Sequence, residues 1–326
     1  MREYFIKRLL LSVPLLFGIS LLTFLVMHLA PGKPTDMQVQ LNQKVSLSVR
    51  ERMEKLYGLD KPLPVQYWQW LRGMLTLDMG TSFIDGRPVR EKILERLPVT
   101  LSINLLILAL MYACAVPLGI FSAVREGSLF DRCTGVALLI AYSVPTFWLA
   151  LLLMRLFSVV LGWLPASGIR SLDFEYLGFG QKIIDYARHI TLPVLISAFT
   201  GLAALSRYMR TSMLGVLRQD YIRTARAKGV PAARIYFHHA LKNSLLPVIT
   251  LLGLSVPGLI GGSVIAESIF ALPGMGKLFY DAVMSRDYPL IMGLLNFGAL
   301  LTLAGNFLAD IGYAVADPRI RLAGRA

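Results

Sequence analysis

Six stretches of this chain are long and apolar enough to cross a lipid bilayer as helices. They lie near 9–29, 99–123, 134–161, 190–208, 245–266 and 290–313, each close to the ~20 residues that span the hydrocarbon core. The rest of the composition agrees, since 55% of the 326 residues are hydrophobic and only 16% are charged. A water-facing surface is hard to build from such a chain. The first window, "LLLSVPLLFGISLLTFLVMHLA", follows the basic "MREYFIKR" as a secretory signal would. Its apolar run is too long for a signal, and "HLAPGK" is no small-x-small cleavage site, so a retained helix is expected. The fold class read here is an all-α polytopic membrane protein.

The net charge of +13 would suggest a nucleic-acid partner in a soluble protein, but here the bases must first be placed relative to the spans. With six spans the connecting segments fall on two sides. Residues 1–8, 124–133 and 209–244 with its flank Arg207, together with 314–326, carry 16 Lys and Arg against 5 acids, a net of +11. Residues 30–98, 162–189 and 267–289 carry 16 against 14, a net of +2. The positive-inside rule then places both termini and the 209–244 loop in the cytoplasm. Cys114 and Cys133 fall in different spans, and no disulfide framework follows.

The 209–244 loop holds the most informative pattern. "DYIRTARAKGVPAARIYFHHALKNSLLPV" has helix formers on both sides of Gly229, and Pro231 follows two residues later. That order reads as a helix stop and restart, giving two short helices. Ile222 and Ala225 form a small apolar patch beside Arg223 and Arg226, and Gly229 would let a partner approach the backbone closely. The competing reading is an amphipathic loop held on anionic lipid by its arginines.

These residues carry a resemblance. "YIRTARAKGVPAARIYFHHALKNSLLPVIT" is similar to the cytoplasmic motif of ABC-transporter permease subunits, in the form found in dipeptide, oligopeptide, nickel and glutathione importers. Anchored on Gly229, the general pattern E-A-A-x3-G-x9-I-x-L-P keeps Ala225 and Leu241. Arg223 replaces its glutamate, Thr224 its first alanine, His239 its isoleucine and Lys242 its proline, which is the wording of the peptide-importer branch. "GLDKPLPVQYWQWLRGMLTLDMGTSF", "RLPVTL", "YSVPTFW", "ESIFALPGMGKLFYDAV", "RDYPLIMG" and "NFLADIGYAVADPRIR" resemble, in order, landmarks of the B-type permease over nearly the whole chain.

The resemblance implies a type I ABC importer permease fold, with six transmembrane helices and a helical extracytoplasmic loop. Its expected parts are a cytoplasmic end with the first helix over 1–30, the outer loop 31–98, a core 99–313 carrying a coupling loop 209–244, and a cytoplasmic tail 314–326. It implies a bacterial or archaeal inner membrane. It also implies a second homologous permease chain, two ATPase subunits and an extracytoplasmic binding protein, with ATP and Mg bound in the ATPases and no cofactor or metal in this chain. In such transporters the loop forms a coupling helix docked on the ATPase, a role carried here onto Arg223, Ala225, Lys228, Gly229 and Leu241. The implied cargo is a di- or oligopeptide.

Other chemistries find little support. "ALPGMGKLF" puts Ala271 and Leu278 where a phosphate loop needs glycine and a hydroxyl. "GGSVIAE" is no nucleophile elbow. His238 and His239 are adjacent on a helix, about 100° apart, a poor chelate. The alternative from another class is an ion-coupled carrier or channel, which usually holds several ionisable groups within the membrane. Here Arg155 and Asp310 lie within spans; Arg155 either snorkels, pairs with a polar neighbour or faces cargo, and Asp310 is expected to brace the inner end of the sixth span. Candidate path residues are Asn104 with Ser102, Ser143, Thr146, Arg155, Ser255, Ser263 and Asn296. Gly253, Gly258, Gly261 and Gly262, with Pro257, suit close packing and a kink in the fifth span. In the outer loop "SLSVRERMEKLYGL" and "PVQYWQWLRGML" have helical spacing, with Trp68 and Trp70 as interface anchors.

Overall fold

The computed structural model describes residues 2–29, 58, 60–76, 78–256 and 258–316, with the side chains of 2–9 and 308–316 left aside. Among these the regular structure is helical, apart from one backbone bridge between Thr81 and Pro88. The helices are α1 (Arg2–Leu29), α2 (Leu63–Leu75), α3 (Val89–Val124), α4 (Leu129–Ser143), α5 (Thr146–Val160), α6 (Phe179–Leu217) and α7 (Asp220–Ala227). They continue as α8 (Ala232–Ser244), α9 (Leu246–Ser255), α10 (Gly258–Gly261), α11 (Val264–Ile269), α12 (Met275–Met284) and α13 (Tyr288–Ala316). The helical "PVQYWQWLRGML" expected in the outer loop is α2; "SLSVRERMEKLYGL" falls almost wholly outside the described residues, as do Pro257 and the Asp310 side chain.

Four helices are apolar and long enough to span without a break: Leu10–Leu29, Val89–Val124, Phe179–Leu217 and Tyr288–Phe307. Two further helix pairs are long and apolar enough only when taken together, Leu129–Ser143 with Thr146–Val160 bent by 93° and Ala232–Ser244 with Leu246–Gly261 bent by 44°, which gives six spans if each pair is one. The third window, read at 134–161, is bent between Ser143 and Thr146, and the fifth, read at 245–266, starts at the bend between Ser244 and Leu246. In the third, Pro145 has no N–H to give and pushes Val144 to an extended backbone, φ −80° and ψ 124°, so α4 stops at Ser143 and α5 restarts at Thr146. In the fifth, Pro247 occupies the first turn of a new helix, and Gly262 turns the chain away with φ +66°. A Cβ at Gly258 or Gly261 would meet nothing within 4 Å among the described residues.

The chain divides into two compact units. The first comprises Met1–Thr100, Ile260–Val264 and Gly274–Ala326. Val89, Ile93, Met275, Leu290 and Ile291 form its core, and α1 packs along α13. A buried carboxylate ties its loops together: Asp287, 1% exposed, accepts from the Ser82 hydroxyl and from the Phe83 backbone N–H at 3.0 Å. Lys92 Nζ donates to Ser82 Oγ at 3.2 Å and to Asp85 at 2.8 Å. Partial burial works against the Asp85 charge, but Lys92 and the Arg87 backbone N–H outweigh it and hold that carboxyl below its usual range. Gly276, the glycine of the phosphate-loop lookalike, has a packing reason. A Cβ there would come within 2.7 Å of Val264 N and 2.8 Å of Ser263 C, so α12 lies directly on that backbone.

The second unit comprises Leu101–Leu259 and Ile265–Pro273. Its axis is α6, 39 residues and so about 58 Å long, nearly twice a membrane's hydrocarbon thickness. Met209 and Met213 of α6 are fully buried with Ile222 of α7, Ile235 and Ala240 of α8 and Val248 of α9. Arg210, one residue from this core, grips the first turn of α4: its Nε and Nη2 donate to the two oxygens of Asp131, each at 2.7 Å. Asp131 also accepts from Gly127 N at 3.0 Å, and Ser128 caps the same turn.

Candidate functional site

The segment around Gly229 folds as its sequence dictates. α7 ends at Ala227, and Gly229 takes φ +75°, the left-handed conformation that a residue without Cβ adopts freely. The two bonds of a Schellman close the helix: Gly229 N donates to Arg226 O at 2.9 Å and Val230 N to Ala225 O at 3.2 Å. Pro231 then sits just before α8, whose middle widens into a π-helical turn over Ile235–Ala240. The Asn243 amide donates to the Tyr221 hydroxyl at 2.8 Å and ties α8 back to α7.

Which faces look outward corrects one expectation. Ile222 is fully buried in the unit's own core, with Ala225 and Leu241 packed partly buried against it, so of the apolar patch expected at Ile222 and Ala225 only Ala225 keeps any exposure. Exposed on α7 are Arg223 and Arg226 together with Asp220, Tyr221, Thr224 and Ala227, and just past its end Lys228 and the bare backbone of Gly229. A Cβ on Gly229 would meet nothing within 4 Å, so the space above it is open. Arg223 makes an exposed ion pair with Asp220 at 3.6 Å, which contributes little in water.

Six of the candidate path residues lie in the second unit. Asn104 donates to Leu259 O at 2.8 Å, a carbonyl of the helix Gly258–Gly261. Ser143 donates to Leu139 O and Ser255 to Leu251 O, each within its own helix. Thr146 meets the Thr200 hydroxyl at 3.4 Å. Arg155 is exposed at the start of the π-helical end of α5 and has no partner among the described residues. Ser102 pairs with the Tyr186 hydroxyl at 2.8 Å. In the first unit Asn296 is buried and donates to Met292 O of its own helix at 2.9 Å, while Ser263 is exposed on the backbone beneath Gly276.

His238 and His239 stand with ring centroids 5.2 Å apart and planes at 85°. Among the described residues no group of three or more His, Cys, Asp and Glu could hold a metal. The sequence reading missed the Asp131–Arg210 grip and the Asp287 tie. A local trace of the first existed in "SLFD", where Ser128 and Asp131 have the spacing of a helix cap.

The sequence matches the family described as "Binding-protein-dependent transport system inner membrane component" over residues 115–322, and the N-terminal part of such membrane components over residues 1–104. The oligopeptide transport system permease protein AppB of Bacillus subtilis is 45% identical over 321 residues, covering 98% of this chain and 99% of that protein. The di/tripeptide transport system permease protein DppB of Pseudomonas aeruginosa is 38% identical over 334 residues, with 98% and 99% covered. A chain of the MetNI methionine ABC transporter, solved in inward-facing conformations, is 16% identical with TM-score 0.48, covering 67% of this chain and 95% of its own.

Proposed function

Because the chain belongs to the family of binding-protein-dependent transport system inner membrane components, we propose that it forms half of the membrane path of an ATP-driven peptide importer. The other half would be a second homologous permease chain. Two ATPase subunits would drive the pair, with ATP and Mg bound in those subunits, and an extracytoplasmic binding protein would deliver cargo. The peptide class is supported by two relatives of nearly equal length whose names specify oligopeptide and di/tripeptide transport.

The observation that carries the coupling role is the projection built on Gly229. α7 is pinned from beneath by Ile222 and presents a basic, sterically open outer face. In this reading the net of +11 on its side of the membrane against +2 on the other puts that face and both termini in the cytoplasm, where an ATPase can reach it. Arg223, Lys228 and Gly229 then contact the ATPase, while Ala225 and Leu241 hold the loop in place. Among the proposed path residues, Asn104, Ser143, Ser255 and Asn296 shape the crossings through their bonds to backbone carbonyls. Arg155, exposed and without a partner among the described residues, is the one proposed to meet cargo or the second chain. A charge such as Arg155 within a span needs a partner, and a peptide carboxylate would supply one.

The test is the complete complex reconstituted in proteoliposomes with its binding protein. Di- or oligopeptides are expected to raise ATP hydrolysis severalfold and to accumulate inside. Stimulation by glutathione or a nickel chelate but not by peptides would refute the cargo assignment. Uptake driven by an ion gradient without ATPase subunits would establish the carrier alternative.

A further inference from the structure

The first unit carries an open cavity of about 340 Å³ whose walls have no part in coupling or in the proposed path. Phe24 and His28 reach it from the last turns of the candidate span Leu10–Leu29, and Tyr288 and Met292 from the first turn of Tyr288–Phe307. The cavity therefore lies at the level where two apolar helices leave hydrocarbon, the depth of lipid headgroups. Gln69 and Trp70 of α2 and the loop that starts at Asp78 complete it.

Its chemistry is divided. One side is aromatic: Phe24 stacks on His28 at 4.0 Å between centroids, and His28 meets Tyr288 edge-on at 6.0 Å. His28 is already engaged, with Nδ1 2.8 Å from Phe24 O and Nε2 3.1 Å from Gln66 Oε1. Trp70 differs, because its indole N–H is buried and meets no acceptor among the described residues. Buried donors are rarely left so unless something outside the chain accepts from them. Gln69 accepts from Lys61 Nζ at 3.2 Å through its oxygen, which leaves its amide N–H groups for a second partner. Asp78 accepts from Gly80 N at 3.1 Å through one oxygen and keeps the other. The site thus offers donors for an anionic oxygen, a carboxylate for a cation and ring faces between them.

We propose that this cavity holds the headgroup of an amine-bearing glycerophospholipid of the phosphatidylethanolamine type. Its phosphodiester oxygens accept from the Trp70 indole N–H and the Gln69 amide. Its ammonium meets the Asp78 carboxylate and the aromatic faces. Its acyl chains run along α1, where Leu22 and Val26 are each 64% exposed. A lipid seated there braces α2 against the end of α1.

The experiment uses the full chain purified in detergent, read by native mass spectrometry and by the unfolding midpoint. The probes are phosphatidylethanolamine, phosphatidylglycerol, inorganic phosphate and trialanine. Phosphatidylethanolamine is expected to remain as a bound adduct and to raise the midpoint more than phosphatidylglycerol does. Trp70→Phe, which keeps a ring and removes the N–H, is expected to weaken that binding about tenfold, the scale of a lost hydrogen bond to a charged group. Asp78→Asn is expected to erase the preference over phosphatidylglycerol. Should Trp70→Phe fail to fold, Gln69→Leu must show the weakened binding. Equal response to both lipids, displacement by trialanine, a full shift from inorganic phosphate alone, or unchanged binding in the folded variants would each overturn the assignment.

Discussion

Replacing Gly229 with leucine is expected to reduce peptide transport by at least about tenfold, as loss of a central interface contact does, while the chain still inserts and folds. The residue sits at φ +75° at the end of α7, where a side chain costs about 1 kcal/mol locally. That is too little to unfold a protein of this size, and among the described residues no atom other than those of its chain neighbours lies within 4 Å of the new Cβ. The damage falls on what docks above: leucine would fill the space through which a partner surface approaches the backbone. The lipid-surface reading predicts the opposite ranking. There Gly229→Leu is nearly silent, while neutralising Arg223, Arg226 and Lys228 removes about 1 kcal/mol of membrane attraction per charge. Transport, ATP hydrolysis and co-purification of the ATPase subunits, measured for both variants, separate the two. Normal transport with full ATPase retention in Gly229→Leu would end the coupling assignment.

Asp131→Ala is expected to destabilise the second unit by about 2 kcal/mol, less than the loss of a fully buried pair because Arg210 is partly exposed, since it leaves that guanidinium charged and unpaired. The Asp131 side chain is 9% exposed and that of Arg210 32%, and the two bonds of 2.7 Å hold the α4 turn to α6. Arg210 is flanked in sequence by Met209 and Met213, which share a core with Ile222, so loosening here also loosens the seat of α7. Adding Arg210→Met to Asp131→Ala is expected to recover most of the loss, since an apolar pair of similar volume replaces a buried ion pair well. Unfolding midpoints of wild type, both single variants and the double variant check this. No change in Asp131→Ala would show that the pair holds nothing.

What the sequence revealed follows from which interactions are local. Apolar runs of spanning length mark their own helices, and the first, second, fourth and sixth windows lie inside α1, α3, α6 and α13. The stop at Gly229 was readable because a Schellman is built from adjacent residues, and Pro231 fixes the restart. Pro145 stood in plain view, but hydropathy sums over a window and is blind to a missing N–H, so the 93° break at Ser143 was read through. Ile222 shows a different limit. Its helical spacing with Ala225 identifies an apolar face without saying whose core will cover it, and the cover proved to be α6 and α8 of the same unit. Arg210 and Asp131 stand 79 residues apart, and Ser82 and Asp287 stand 205 apart. No local pattern pairs residues at such distances.

The central claim is that the exposed end of α7 faces the cytoplasm and touches an ATPase subunit. It is tested most directly by one cysteine at Lys228 in a background with Cys114→Ser and Cys133→Ser, since Lys228 is exposed and beside Gly229. The account predicts that this cysteine resists an impermeant maleimide in intact cells, and that in the assembled complex a short bifunctional reagent crosslinks it to the ATPase subunit. Labelling from outside intact cells, or a complex that hydrolyses ATP while Lys228→Cys remains freely reactive and uncrosslinked, would contradict it.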